Sequence, residues 1–195
     1  MAKRILIIEG HPDPGAARLG HALAEAYAEG AAAAGHSVQR LQVAQLDFPL
    51  LRSKADWESG AVPAALEPAQ HAIRWAEHLV LIFPLWLGGM PALLKAFLEQ
   101  VARPGFALGK GGPKGLPAKL LRGRSARIVV TMGMPAFVYR WYFFGHSLRS
   151  LKRNILGFVG VAPVRQTIVG SVDALSDADR NAWLARLRRL GQRAV

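Results

Sequence analysis

Short apolar runs alternate along this chain with longer stretches in which apolar residues recur every third or fourth position. The first run, residues 3–9, is Ile-rich and ends at Gly10 and the Pro12/Pro14 pair, so it reads as a buried strand. Residues 17–34 are helix formers throughout, with Leu19, Ala22, Leu23, Ala26 and Tyr27 on one face and Gly35 as the stop. Residues 37–43 alternate imperfectly and predict a second strand, and 46–60, with Pro49 and Gly60, reads as irregular. A helix is expected over 64–75, behind Pro63. The run 79–83 has the continuous apolar character of a strand covered on both faces. It is followed by a loop over 84–90 and a helix over 92–101 that Pro91 opens. Residues 103–125, rich in Gly, Pro and Lys, read as a long loop. Strand 126–131, loop 133–139, a helical segment near 144–156 and strand 164–169 follow. Ser176 with Asp179 three residues on makes a capping-box start for a last helix over 177–193.

Alternating strands and helices imply parallel strands joined by right-handed crossovers, and therefore an α/β three-layer sandwich. Five strands favour the flavodoxin-like order 2-1-3-4-5, formed as one domain over residues 1–195. In that order the first, third and fourth strands lie side by side, and a ligand belongs at their C-terminal ends, where the winding reverses. This topology selects three loops, at residues 10–16, 84–90 and 132–138, before any motif is consulted.

Composition narrows the chemistry. There is no cysteine among the 195 residues, which excludes disulfide scaffolds, thiol nucleophiles and thiolate metal sites. No apolar run approaches the ~18–20 residues needed to span a bilayer, so a cytoplasmic protein without membrane insertion is expected. The net charge is +12, which suits nucleic acid, anionic lipid or phosphate-bearing small molecules. Much of the excess lies within 103–127 and in the last helix, neither with a series of aromatic residues interleaved for base stacking, so no nucleic-acid partner is expected.

The three loops carry distinct chemistry. The first, Gly10-His11-Pro12-Asp13-Pro14-Gly15, lacks both the dinucleotide fingerprint and the P-loop pattern, but it leads into a helix N-terminus with His11 and Arg18 beside it. Free N–H groups there attract an anion, and Arg18 can add a bidentate phosphate contact. The second, Pro84-Leu85-Trp86-Leu87-Gly88-Gly89-Met90, is apolar and suits a flat heteroaromatic ring that needs backbone donors and one hydrophobic face. The third contributes Thr131, Met132 and Gly133, then Tyr139 and His146, which can supply protons or hydrogen bonds to a developing anion.

Taken in order, the Gly-His-Pro loop, Leu46-Asp47-Phe48-Pro49-Leu50, Phe83-Pro84-Leu85-Trp86 with Gly88, Met90-Pro91-Ala92-Leu93-Leu94-Lys95 and Thr131-Met132-Gly133 resemble the flavodoxin-2 group. Within it the likeness is to NAD(P)H:quinone oxidoreductases of the DT-diaphorase type. The resemblance implies a bound flavin, FMN or FAD, with NADH or NADPH as hydride donor and a quinone-like acceptor. It places His11, Ala17, Arg18 and Leu19 on the flavin phosphate, and Pro84, Leu85, Trp86, Leu87, Thr131, Met132 and Gly133 on the ring. Arg18 and Leu19 stand where relatives carry a Ser and an aromatic residue. Tyr139 and His146 are the expected catalytic partners. A homodimer with the site at its two-fold interface is also implied, and the aromatic residues at Trp57 and over 137–144 would supply its surface. Some relatives are ancillary to ion transport, so a flavin-binding electron carrier or regulatory subunit is the alternative function.

Overall fold

The computed structural model describes residues 1–15, 18–59, 61–109 and 115–195. Its strands are β1 (Arg4–Glu9), β2 (Ser37–Gln42), β3 (His78–Pro84), β4 (Leu108–Gly109), β5 (Ala118–Lys119), β6 (Ser125–Thr131) and β7 (Val164–Val169). The helices are α1 (Leu19–Ala33), α2 (Lys54–Ser59), α3 (Glu67–Trp75), α4 (Ala92–Val101), α5 (Ala136–Trp141), α6 (His146–Ser150), α7 (Gly157–Val159) and α8 (Asp177–Arg193). Five parallel strands form the main sheet in the order β2-β1-β3-β6-β7, which is the expected 2-1-3-4-5.

Strand parity builds the two halves of the core. Leu6 and Ile8, Leu79, Leu81 and Phe83, and Ala126, Ile128 and Val130 face one layer, where they meet Ile73 of α3 and Leu94, Phe97 and Val101 of α4. Ile5 and Ile7, Val80 and Ile82, and Val129 face the other, against Leu23 and Tyr27 of α1 and Leu187 of α8. Alternate residues of a strand point to opposite faces, so a run buried on both sides must be apolar at every position. The register sets Glu9 beside Ile82 and Pro84 beside Thr131, so the loops that follow these strands leave from one edge. Among the described residues, no helix is long and apolar enough to cross a membrane.

Three segments differ from expectation. Residues 54–59 form α2 within the stretch read as irregular. The missed signal is a serine N-cap: Ser53 Oγ accepts the Asp56 N–H at 3.0 Å and donates to its carboxylate at 2.6 Å. The stretch 103–125 contains the antiparallel β4–β5 pair, and Leu120 N–H donates to Ala107 O at 3.1 Å; Lys110 and Lys114 lie outside the described residues. Residues 136–141 form α5, which begins within the expected loop 133–139 and runs past it, because Pro135 is tolerated just before a first turn and Tyr139 anchors that turn in the core. The helical stretch after it runs from α6 through a π-helical segment, Leu151–Leu156, into α7.

His78 opens β3 in the core at 1% exposure. Its Nδ1 lies 2.7 Å from Ser125 Oγ, its ring stacks on Tyr27, and Nε2 has no partner among the described protein atoms. Burial, with Lys3, Arg127 and Arg165 nearby, lowers its pKa to about 3. The imidazole is therefore buried neutral, while the unfolded chain takes up a proton below about pH 6.5. Below that pH the unfolded state binds more protons, so stability falls with acid, by about 2 kcal/mol at pH 5 from this group alone. Urea unfolding at pH 7 and pH 5 checks this, with His78→Gln expected to lose less stability between the two than wild type.

Candidate functional site

Loops from four strand ends enclose a cleft of about 390 Å³ at the C-terminal edge of the sheet, within the range of small-molecule sites. Its two ends differ in chemistry.

One end is the start of α1. Arg18 occupies the N-cap position with extended backbone, its side chain makes no cap hydrogen bond, and no acidic residue lies in the first turn. The first amides of the helix thus lack the side-chain acceptor that usually satisfies them. Arg18 Nε donates to Asp13 Oδ2 at 2.9 Å, and Gly15 N–H donates to Asp13 Oδ1 at 2.8 Å. These two donors hold the Asp13 carboxyl below the ordinary carboxylate range. His11 Nδ1 accepts the Asp13 N–H at 3.0 Å. Burial, followed by the neighbouring His21, holds the His11 imidazole below its usual value. A neutral His11 whose Nδ1 accepts carries its proton on Nε2, which makes that atom a donor.

The other end is apolar and built from backbone. Trp86 and Gly89 exchange two N–H···O bonds of 2.9 Å across a two-residue turn. Leu87 (φ 45°) and Gly88 (φ 78°) both take the left-handed conformation that such a turn requires. Gly88 does so freely, whereas Leu87 is a branched residue in a region that costs of order 1–3 kcal/mol, the kind of strain that clusters at functional sites. The Trp86 amide is consumed by the turn, and those of Leu87 and Gly88 are not part of its bond pair. Trp86 is 49% exposed and meets the His11 ring edge-on at 5.7 Å. Leu85 N–H donates to Thr131 O at 2.8 Å, which ties this loop to the end of β6.

The cleft brings together His11, Arg18, Leu19, Pro84, Leu85, Trp86, Thr131, Met132 and Gly133 of the expected residues. Leu87 points into solvent beside it, and Ala17 lies outside the described residues. Tyr139 and His146 are not in it, which corrects their expected place. Tyr139 is 2% exposed on the core side of α5, and its hydroxyl accepts the Leu148 N–H at 3.2 Å, so it braces α6. His146 is exposed beside Phe144. Trp57 is partly buried against the core by α2 and adds little free surface. Phe137, Trp141, Tyr142, Phe143 and Phe144 are all exposed.

Four lining residues went unnoticed in the sequence: Gly20, Val172, Asp173 and Arg180. β7 is the neighbour of β6 and ends at the same edge, so the loop after it was foreseeable from the same topology rule. Arg180 lies on the first turn of α8, where its Nε donates to Leu175 O at 3.3 Å. The Ser176–Asp179 capping box that starts α8 therefore also fixes a second guanidinium at the cleft.

Residues 3–192 match the Flavodoxin_2 family, described as a flavodoxin-like fold. The chain is 25% identical over 183 residues to a protein of Haemophilus influenzae named an uncharacterized NAD(P)H oxidoreductase, covering 92% of this chain and 89% of that one. Over 91 residues it is 34% identical to FMN-dependent NADH:quinone oxidoreductase 1 of Colwellia psychrerythraea, spanning 46% of this chain and 43% of that protein. Among solved structures, the NAD(P)H:quinone oxidoreductase of Methanothermobacter marburgensis superposes with a TM-score of 0.80 at 25% identity, over 98% of this chain and 96% of that one.

Proposed function

The chain belongs to the Flavodoxin_2 family, and from that premise we propose that it is an FMN-dependent NAD(P)H:quinone oxidoreductase, acting as one domain over its 195 residues. The observation that carries this reading is the two-ended cleft: an uncapped helix start with Arg18 and His11 at one end, and an apolar loop with unused amides at the other. FMN has the same division, a phosphate joined to a flat heteroaromatic ring. The residues present fit it on both counts. At Gly20 the nearest described atom to where a Cβ would stand, outside the helix's own backbone, is Ile82 Cγ2 at 4.0 Å, which leaves room for a phosphate beside the first turn. The sequence left FMN and FAD open; the Colwellia relative is named as FMN-dependent, and FMN is the cofactor proposed here.

Bound flavin supplies the hydride chemistry, accepting from NADH or NADPH and donating to a quinone. The chain's own residues bind and orient. Arg18, the His11 Nε2–H and the first amides of α1 hold the phosphate. The Leu87 and Gly88 amides, rather than that of Trp86, donate hydrogen bonds at the ring end, where they favour negative charge. Trp86 offers an aromatic face to planar acceptors. One cleft serves donor and acceptor in turn, which gives ping-pong kinetics.

Oxidation of NAD(P)H by the FMN-loaded protein, with menadione as sole acceptor, tests the reading. Turnover with parallel double-reciprocal lines is expected; absence of turnover with either nicotinamide overturns it in favour of a carrier role.

A homodimer is part of the same proposal. Five exposed aromatic residues between Phe137 and Phe144 form more apolar surface than a monomer of this size leaves wet. His146, beside Phe144, is assigned to that surface rather than to its own cleft. Light scattering at micromolar concentration is expected to give twice the chain mass of 21.1 kDa. Phe144→Glu together with Trp141→Glu is expected to shift it toward one chain mass.

A further inference from the structure

Beneath the cationic end of the cleft lies a buried polar chain that the proposed reaction does not use. Glu9, 2% exposed at the end of β1, accepts from Arg40 through Oε1, with Nε at 3.1 Å and Nη2 at 2.8 Å. Its Oε2 lies 2.6 Å from His21 Nδ1. His21, in the first turn of α1, is itself buried, and its Nε2 lies 3.2 Å from the carbonyl oxygen of Asp13. Arg40 also pairs with Glu25 at the surface. Both nitrogens of His21 therefore face oxygen acceptors, a carboxylate and a carbonyl. A carbonyl oxygen can only accept, so His21 Nε2 donates to Asp13 O, while Nδ1 shares a hydrogen with the Glu9 carboxyl group.

The contact on Asp13 gives His21 its leverage. Asp13 is the hub of the first loop: its carbonyl faces His21, its N–H donates to His11 Nδ1, and its carboxylate holds Arg18. The residue that His21 grips is thus the one that sets the His11 tautomer and the position of the Arg18 guanidinium.

We propose that His21, held by Glu9 and Arg40, is a positioning residue for the phosphate group: it fixes Asp13 so that His11 and Arg18 select a phosphorylated flavin over one without phosphate. This rests on the flavin reading above. Its signature is discrimination between FMN and riboflavin, which share the ring and differ at the phosphate, and a merely structural role does not move that ratio.

The experiment titrates FMN and riboflavin into flavin-free wild type and His21→Leu, reading flavin fluorescence. Wild type is expected to prefer FMN, and His21→Leu to lose about tenfold of that preference through FMN affinity, with riboflavin affinity little changed. Nitrogen-15 NMR of the wild-type histidine rings provides a measurement that needs no variant: His21 Nε2 is expected to carry a proton, as the donor to Asp13 O. A variant that keeps the wild-type preference, or a His21 ring with Nε2 unprotonated, overturns the proposal and leaves the flavin reading standing. Wild type that binds neither flavin overturns both.

Discussion

Arg18→Ala is expected to weaken FMN binding by about ten- to hundredfold, the worth of one charge-assisted hydrogen bond, while turnover at saturating FMN stays close to wild type. The phosphate is the end of the ligand remote from the reacting ring, so losing its partner removes binding that ground and transition states share. The structure refines the size of the effect. Arg18 is already paired with Asp13, and a guanidinium shared with a carboxylate gives up part of that bond when it turns to a phosphate. The loss therefore belongs in the lower part of the range. Equilibrium titration of the flavin-free protein, with steady-state assays at excess FMN, separates the two quantities. An unchanged dissociation constant would leave His11 and the amides of α1 to hold the phosphate alone. A large fall in turnover at saturating FMN would place Arg18 near the ring instead.

The second large effect falls on the scaffold behind that same helix. α1 and α8 cross at two glycines, and neither position has room for a methyl group. A Cβ at Gly191 would stand 2.1 Å from Tyr27 O, and one at Gly30 would stand 2.0 Å from Arg188 O. Both obstacles are backbone, which cannot rotate away as a side chain can, so the helices must separate along their whole contact. Gly191→Ala is therefore expected to destabilise the fold by roughly 3 kcal/mol or more, the upper end of overpacking costs. That corresponds to a fall in Tm of roughly 6–12 °C for a chain of this size. The helix propensity gained from alanine, about 1 kcal/mol, does not offset it. Thermal unfolding followed by circular dichroism measures this, and a Tm within 2 °C of wild type, roughly one kcal/mol or less on this scale, contradicts the steric argument.

Much of the fold was legible because parity and periodicity are local. The bounds of α4, β7 and α8 match the expected ones, since Pro91, the β-rich run and the Ser176–Asp179 box are each read within a few residues. Sheet order followed from strand count and alternation. α5 was not legible: Gly133 and Pro135 punctuate the segment as a loop, and its single helical turn exists because Tyr139 finds a buried place. Missing α5 also misdirected Tyr139, whose side chain turns into the core with the helix instead of toward the cleft. The first two loops of the site were legible as chemistry on a predictable edge. Arg180 and the Glu9–His21–Arg40 chain were not, because each joins residues whose proximity only the folded sheet creates. His21 in sequence is one more residue on a helix, and its partners stand 12 positions before it and, through Glu9, on β2.

The most direct test of the central claim is to load the protein with FMN, add NADPH or NADH without oxygen, and then add a quinone while following visible flavin absorbance. The account predicts that the bound flavin bleaches on addition of at least one nicotinamide and regains its colour on addition of the quinone. Protein-bound flavin whose absorbance does not change with either nicotinamide contradicts it.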